Sequence, residues 1–346
     1  MTESDQLIQA FDERAQRRTE RRNIFRMALG AAAAGGAFVY ASSASAQTGP
    51  TEADVLNFAL NLEYLEANFY SYAVFGVPIE QAPGAAGITG VGTAVSASTA
   101  ATAAGVRYNA GARQVRFADP LVAQYAKEIA QDEIAHVKFL RTALAGAAVA
   151  QPALDVGITP TGAFSSAARA AGFIADAGAN ATQTTFFDPY ANDLSFLYGA
   201  FIFEDVGVTA YKGSSSLLVN NKTYVDAAAG ILAAEAYHAA IVRTTLDQMG
   251  AMPGLKATTI RGDTELVSNA RDSLDGASDL DQGIAQSSPA TGLTSNIAPT
   301  DGNGLAFSRS AAQVLNVVYL NKAQLTAGGF FPQGVNGNIK TSANNA

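Results

Sequence analysis

Apolar residues return every three or four positions along four long stretches of the chain, and each stretch opens on a start signal. The first opens at Pro50-Thr51-Glu52-Ala53-Asp54, where Thr51 can cap and acids fill the first turn. It runs to about Val74, before Gly76 and Pro78. The second opens at Asp119-Pro120, a capping side chain followed by proline at the first helical position, and runs to about Ala148. The third opens at Asp188-Pro189 and ends at Lys212-Gly213. The fourth runs from about Lys222 to Met249 and stops at Gly250. A short helix is expected near 161–173, and a fifth, C-terminal one at 309–322, where Val314, Leu315, Val317, Val318 and Tyr319 cluster. Two stretches break the pattern. Residues 77–118 are rich in Ala, Gly, Thr and Ser with few charges, and 251–304 are polar with little periodicity; both read as loop insertions. The tail, 336–346, reads as flexible. Four long helices with additions predict one all-α four-helix bundle over 47–335.

Ahead of the bundle the pattern changes. Arg21-Arg22-Asn23-Ile24-Phe25-Arg26 precedes an uncharged apolar run, Met27 to Tyr40, and Ala44-Ser45-Ala46 supplies small residues for cleavage. That order predicts a signal peptide over 1–46, with paired arginines that resemble the twin-arginine export signal. The run is too short and too glycine-rich for a spanning helix, so no stable membrane anchor is expected after cleavage. The expected location is the periplasm or beyond. The twin-arginine route carries folded proteins, so any metal would be selected in the cytoplasm under controlled supply rather than by the raw affinity that favours copper and zinc.

Composition narrows the chemistry. Hydrophobic residues make up 48% of the 346 and charged ones 15%, enough for a sizeable core. The net charge of −8, or −9 once a leader with six basic and five acidic residues is removed, argues against a nucleic-acid partner. There is no cysteine, which excludes disulfides, thiolate metal sites and cysteine nucleophiles. The apolar excess leaves a homo-oligomer open, though no stripe marks an interface.

Only two histidines are present, and both close the same motif: Glu133-Ile134-Ala135-His136 in the second helix and Glu235-Ala236-Tyr237-His238 in the fourth. A spacing of three puts carboxylate and imidazole on one helix face. Both glutamates lie 13 residues past their helix starts, Pro120 and Lys222, so the pairs sit at matching heights. The other two helices each carry a glutamate within an apolar face: Glu63 in the first, with Glu66 one turn along as the alternative, and Glu204 in the third. A tyrosine follows each by seven residues, Tyr70 and Tyr211. Tyr70, Tyr211 and Tyr237 are candidates for hydrogen bonds to the site carboxylates or for electron transfer, against the plainer reading that they pack. Glu128 and Asp132 read as solvated or helix-pair charges. A carboxylate in an apolar interior is costly unless something cancels its charge. Four glutamates carry −4 and two divalent cations +4, so charge and ligand count agree on two metal ions.

One glutamate from each of two helices and Glu-x-x-His from each of the other two is the pattern of ferritin-like di-iron and di-manganese bundles. The chain resembles that superfamily over 51–75, 119–146, 188–213 and 222–249. More narrowly it resembles the bacterial ferritin-like domain family that includes plant desiccation-related proteins. The narrower likeness rests on the segments Asn57 to Glu66, Ala200 to Gly207 and Gly328-Gly329-Phe330-Phe331-Pro332. In bacterioferritins and rubrerythrins the first-helix ligand precedes an asparagine by five and a tyrosine by seven. Asn68 and Tyr70 stand at those offsets from Glu63, which favours Glu63 over Glu66. The resemblance implies metal ligands at Glu63, Glu133, His136, Glu204, Glu235 and His238, with iron or manganese as the metal. It implies oxygen or peroxide as substrate, in ferroxidase, peroxidase or manganese-catalase-like chemistry. The long insertions depart from compact storage ferritins. The alternative is a stress or desiccation protection protein with a structural metal site and no turnover.

Overall fold

The computed structural model describes residues 49–86, 88, 109–177, 182–251, 257–285 and 294–346. The expected signal peptide, 1–46, and the middle of the first insertion lie outside them. Seven α-helices and no strand occur among the described residues: α1 Glu52–Phe75, α2 Pro120–Leu144, α3 Ala163–Ala170, α4 Asp193–Ser215, α5 Lys222–Ala251, α6 Ala257–Asp275 and α7 Ala311–Val318.

The starts follow the local chemistry. Thr51 caps α1 in a reciprocal box with Asp54, and Asp119 caps α2 ahead of Pro120. Helix α4 begins later than expected. Asp188 and Pro189 form a turn in which Asp188 Oδ1 accepts from the Tyr190 amide, and the cap is Asn192, which accepts from the Ser195 amide. Its end differs as well: Gly213 does not stop α4, which continues to Ser215. A Cβ on Gly213 would lie 1.9 Å from the Arg309 carbonyl oxygen, so this glycine admits a crossing backbone instead of terminating the helix.

Helix α1 packs on α2, and α4 on α5; contacts of α1 with α4 and of α2 with α5 close the four-helix bundle. An apolar crevice at one end is lined by Leu56 of α1, Leu140 of α2, Tyr211 of α4 and Ala228 of α5. That end therefore gathers the start of α1 and α5 and the end of α2 and α4, so both hairpins are antiparallel. Everything from Val55 to Ala73 is buried, because loops cover the outer face of α1. Asn57 bonds the backbone at Ala147 and Val149, and Asn61 bonds it at Asn336. Rings from four segments, Phe69, Phe164, Phe203 and Phe330, meet edge-on or tilted at centroid distances of 4.9–5.7 Å. Such pairs add about 0.5–1.5 kcal/mol each beyond buried area.

Two expectations are overturned. The stretch 251–304 is not wholly loop: it holds α6, which packs against α4 and α5. Its inward face reads Ile260, Thr264, Val267, Ser268, Arg271 and Asp275, all buried. Helical spacing is present, but four of the six are polar, so hydrophobic periodicity does not reveal it. The tail is tied down. Ser342, Ala343 and Asn345 donate their amides to the carbonyls of Leu325, Ala312 and Lys322, and Ser342 is buried.

Candidate metal centre

The six sequence-predicted ligands meet in the middle of the bundle. Glu63, Glu133, Glu204, Glu235 and His238 are buried, and the His136 side chain is 12% exposed. Both imidazoles present Nδ1 to the carboxylates. His136 Nδ1 lies 3.2 Å from Glu63 Oε2 and 3.5 Å from both Glu133 Oε2 and Glu235 Oε1. His238 Nδ1 lies 3.0 Å from Glu133 Oε1 and 3.6 Å from Glu204 Oε2. The rings are 6.2 Å apart between centroids.

These atoms form two clusters. Glu63, Glu133, His136 and Glu235 offer one set of donors within 4.8 Å of one another, and Glu133, Glu204 and His238 offer another. Glu133 belongs to both, turning one oxygen to each histidine. Both oxygens of Glu133 and Glu235, Glu204 Oε2 and His238 Nδ1 are buried without a hydrogen bond. Orphaned polar atoms are rare in folded proteins and costly. Here they converge from three helices and are all metal-ligand types, so the residues fit a metal centre with oxygen and nitrogen donors.

Electrostatics within the cluster point the same way. Burial pushes Glu63 up to about 7 and Glu204 up to about 8. It holds Glu235 well above the ordinary carboxylate range, with Glu133 and Glu66 adding repulsion. Glu133 differs: burial raises it, but His136 and His238 on either side overcome that and draw it below the usual range. Burial also acts against the charge on His238, but Asp132 and Glu133 overcome it and raise that group to about 10.

The tyrosines divide. Tyr70 on α1 donates its hydroxyl to Glu204 Oε1 on α4, and Tyr211 on α4 donates to Glu63 Oε1 on α1. Each half of the chain thus supplies the hydroxyl for the other half's glutamate. Tyr237 does not belong to the site: it is 72% exposed. It directly precedes His238 on α5, and one residue is a turn of about 100° on a helix, so an inward His238 sends Tyr237 outward. Asn68 also points elsewhere, donating to Gln151 and accepting from the Ile79 amide.

Two features, the roles of Asp132 and Asp205, escape the sequence reading, and Glu66, its alternative to Glu63, lies close by. Asp132, expected to be a solvated or helix-pair charge and 49% exposed, approaches His238 Nε2 to 3.3 Å and so fixes the ring from outside. Glu66 is buried beside the donors. Asp205, next to Glu204, is gripped by Arg243 at 2.7 Å and Arg271 at 3.0 Å, and through Asp281 the network reaches Arg309. These buried pairs tie α4, α5 and α6 together behind the site. The adjacency of Asp132 to Glu133 and of Asp205 to Glu204 is the sequence signal that could have flagged them.

One substitution-sensitive position frames the centre. Gly207 lies one turn after Glu204, and a Cβ there would stand 2.4 Å from Glu235 Oε2 and 3.5 Å from Glu66 Oε1. The bare α-carbon makes room for the carboxylates.

The ferritin-like catalase Nec2 of Nesocodon mauritianus is 26% identical over 290 residues, 83% of this chain and 84% of that protein. The desiccation-related protein PCC13-62 of Craterostigma plantagineum is 26% identical over 296 residues, 83% of each chain. No solved structure matches. The family model for the ferritin-like domain matches residues 51–248 and spans all four bundle helices, so the chain belongs to the ferritin-like domain family.

Proposed function

We propose that this is an exported dinuclear-metal protein, holding two iron or manganese ions, that reacts with oxygen or peroxide. The observation that carries the reading is the shared carboxylate Glu133, with one oxygen toward each histidine and two donor clusters around it. Glu63, His136 and Glu235 would complete one ion position, and Glu204 and His238 the other. A bound pair of such ions supplies adjacent binding positions for a two-oxygen substrate and shares two electrons with it.

The chain's own residues do the rest. The carboxylates neutralise the ions in a site closed to bulk water, where their charges act strongly. Tyr70 and Tyr211 hold Glu204 and Glu63 in place and keep a proton at each hydroxyl, since burial raises both tyrosines well above their ordinary range. Asp132 orients His238 from the surface side. Export through the twin-arginine route, proposed from Arg21 and Arg22, suits a protein that folds around its metal first.

The likeness to a ferritin-like catalase supports peroxide as a substrate. The equal likeness to a desiccation-related protein supports the second reading, protection with a structural metal and no turnover. Oxygen evolution from hydrogen peroxide and oxidation of Fe(II), measured on iron- and manganese-loaded protein, separate the two. Turnover by either loaded form, abolished by chelation, is the expected result. A loaded protein that melts higher than the chelated one but turns over neither substrate would leave only the protective reading.

A further inference from the structure

We propose that the apolar crevice at the Leu56 end of the bundle is the passage for dioxygen to and from the centre, with Tyr211 as the ring that closes its inner end. The inference rests on the dinuclear reading and deepens it, by naming the small neutral molecule that this side of the site admits.

All four bundle helices line the crevice. Its outer wall includes Phe139 and Ala143 of α2 and Ala227 of α5, all half-buried. Its inner wall includes Ala59 of α1, Leu140 of α2 and Ile231 of α5, all buried. These three stand four positions from Glu63, His136 and Glu235 on the same helices, so they share the ligands' faces. The floor of the crevice therefore lies one helical turn, about 6 Å along the axis, from those ligands. Tyr211 spans the gap: it lines the crevice and donates its hydroxyl to Glu63.

Chemistry and size select the guest. Among the described residues no charged side chain lines the crevice, and its wall is apolar apart from the hydroxyls of Ser214 and two tyrosines. A metal ion would lose its hydration there without a partner, whereas an apolar gas loses nothing. The half-exposed Asp132, beside His238 on the α2–α5 side, offers ions the carboxylate that the crevice lacks. The cavity volume is about 20 Å³. One water molecule needs about 10–15 Å³, so the space takes a molecule of two heavy atoms and rejects an alkyl chain. Hydrogen peroxide has that size but needs hydrogen bonds that an apolar wall does not give. Dioxygen is the better match, as a substrate moving in or as a product of peroxide moving out.

The test combines xenon-pressurised crystals of the chelated protein with stopped-flow binding of nitric oxide, a diatomic probe, to the Fe(II)-loaded protein. Xenon reports dry apolar cavities. Wild type is compared with Ala143→Phe, which fills the crevice from its outer wall, and with Ala229→Phe, exposed on α5 outside the lining. Xenon should occupy the crevice in wild type and the control and be absent from Ala143→Phe. Nitric oxide should bind Ala143→Phe at least about tenfold more slowly, the effect of about 1.4 kcal/mol added to the barrier of entry. Its rate in the control, and Fe(II) affinity in all three proteins, should be unchanged. Thermal unfolding checks that Ala143→Phe folds; should it not, Ala227→Phe narrows the same wall from α5. Unslowed nitric oxide binding in a variant whose crystal shows the crevice filled would overturn the proposal, as would a wild-type crevice without xenon. Slowed binding in a protein that turns over neither oxygen nor peroxide would keep the passage and remove the redox reading. A wild type that binds no Fe(II) would remove both, since Mn(II) binds such donors more weakly still.

Discussion

Tyr211 donates its hydroxyl to Glu63 across the bundle, 148 residues back in the chain, and Tyr70 returns the same bond to Glu204. The pairing requires α1 and α4 to run antiparallel at one fixed register, so it locks the two halves together as it orients their carboxylates. Replacing either tyrosine by phenylalanine leaves a buried carboxylate oxygen without its donor. We expect Tyr70→Phe and Tyr211→Phe each to destabilise the chelated protein by about 1–3 kcal/mol. The exposed Tyr237→Phe should stay within about 0.5 kcal/mol. Urea unfolding of the three variants checks this; equal effects would remove the reciprocal bonds from the account.

Gly207 is the most sensitive small residue near the centre. Gly207→Ala should cost roughly 1–3 kcal/mol through overpacking and impair metal binding, because the new methyl meets Glu235. A neighbouring control on the same helix, Ser214→Ala, lies at the crevice end and should bind metal normally. Metal content after dialysis against limiting Mn(II) reads the difference. Full occupancy in Gly207→Ala would show that Glu235 is free to move aside.

Asp132→Asn should weaken metal binding by about 10–100-fold, because it removes the carboxylate that holds His238 from outside. The equivalent place before Glu235 is Ala234, so His136 has no such support from α5 and the two histidine positions are unequal. Calorimetry on Asp132→Asn should therefore show one of two binding steps change. Two unchanged steps would reduce Asp132 to the surface charge it resembles.

How much of this was legible in the sequence depends on which residues carry the signal. Glu133, His136, Glu235 and His238 could be found because a polar pair at helical spacing stands out in apolar helices. Glu63 and Glu204 stood out as interruptions of apolar faces, and all six meet in the fold. Helix α6 was hidden because Thr264, Ser268, Arg271 and Asp275 bury a polar face against Asp205 and Arg309, a partnership fixed by tertiary contacts. Gly213 read as a helix stop for a similar reason: the Arg309 backbone that crosses it comes from 96 residues away. Tyr237 was misjudged because proximity to His238 in sequence says nothing about side; the angle between consecutive helical residues does.

Stability and metal affinity should move oppositely with pH. In the chelated fold Glu63 and Glu204 keep protons up to about 7 and 8, whereas the unfolded chain releases them near 4.5. Their contribution is intact below pH 4.5 and is lost as pH rises through those values. His238, raised to about 10, contributes fully below 6.5 and loses that as pH rises through 10. The melting temperature of chelated protein should fall between pH 5 and 9 while Mn(II) affinity rises, since the ions displace these protons. Calorimetry in buffers of different ionisation enthalpy should detect proton release. A flat melting profile with no released protons would contradict the assignment of these buried groups.

The central claim is that one carboxylate, Glu133, joins two ion positions. Elemental analysis of the protein purified from its own cell envelope, wild type beside Glu133→Ala, tests it most directly. The account predicts close to two iron or manganese ions per wild-type chain and a near-complete loss of both in the variant. Two retained ions in Glu133→Ala, or a wild-type chain carrying neither metal, would contradict it.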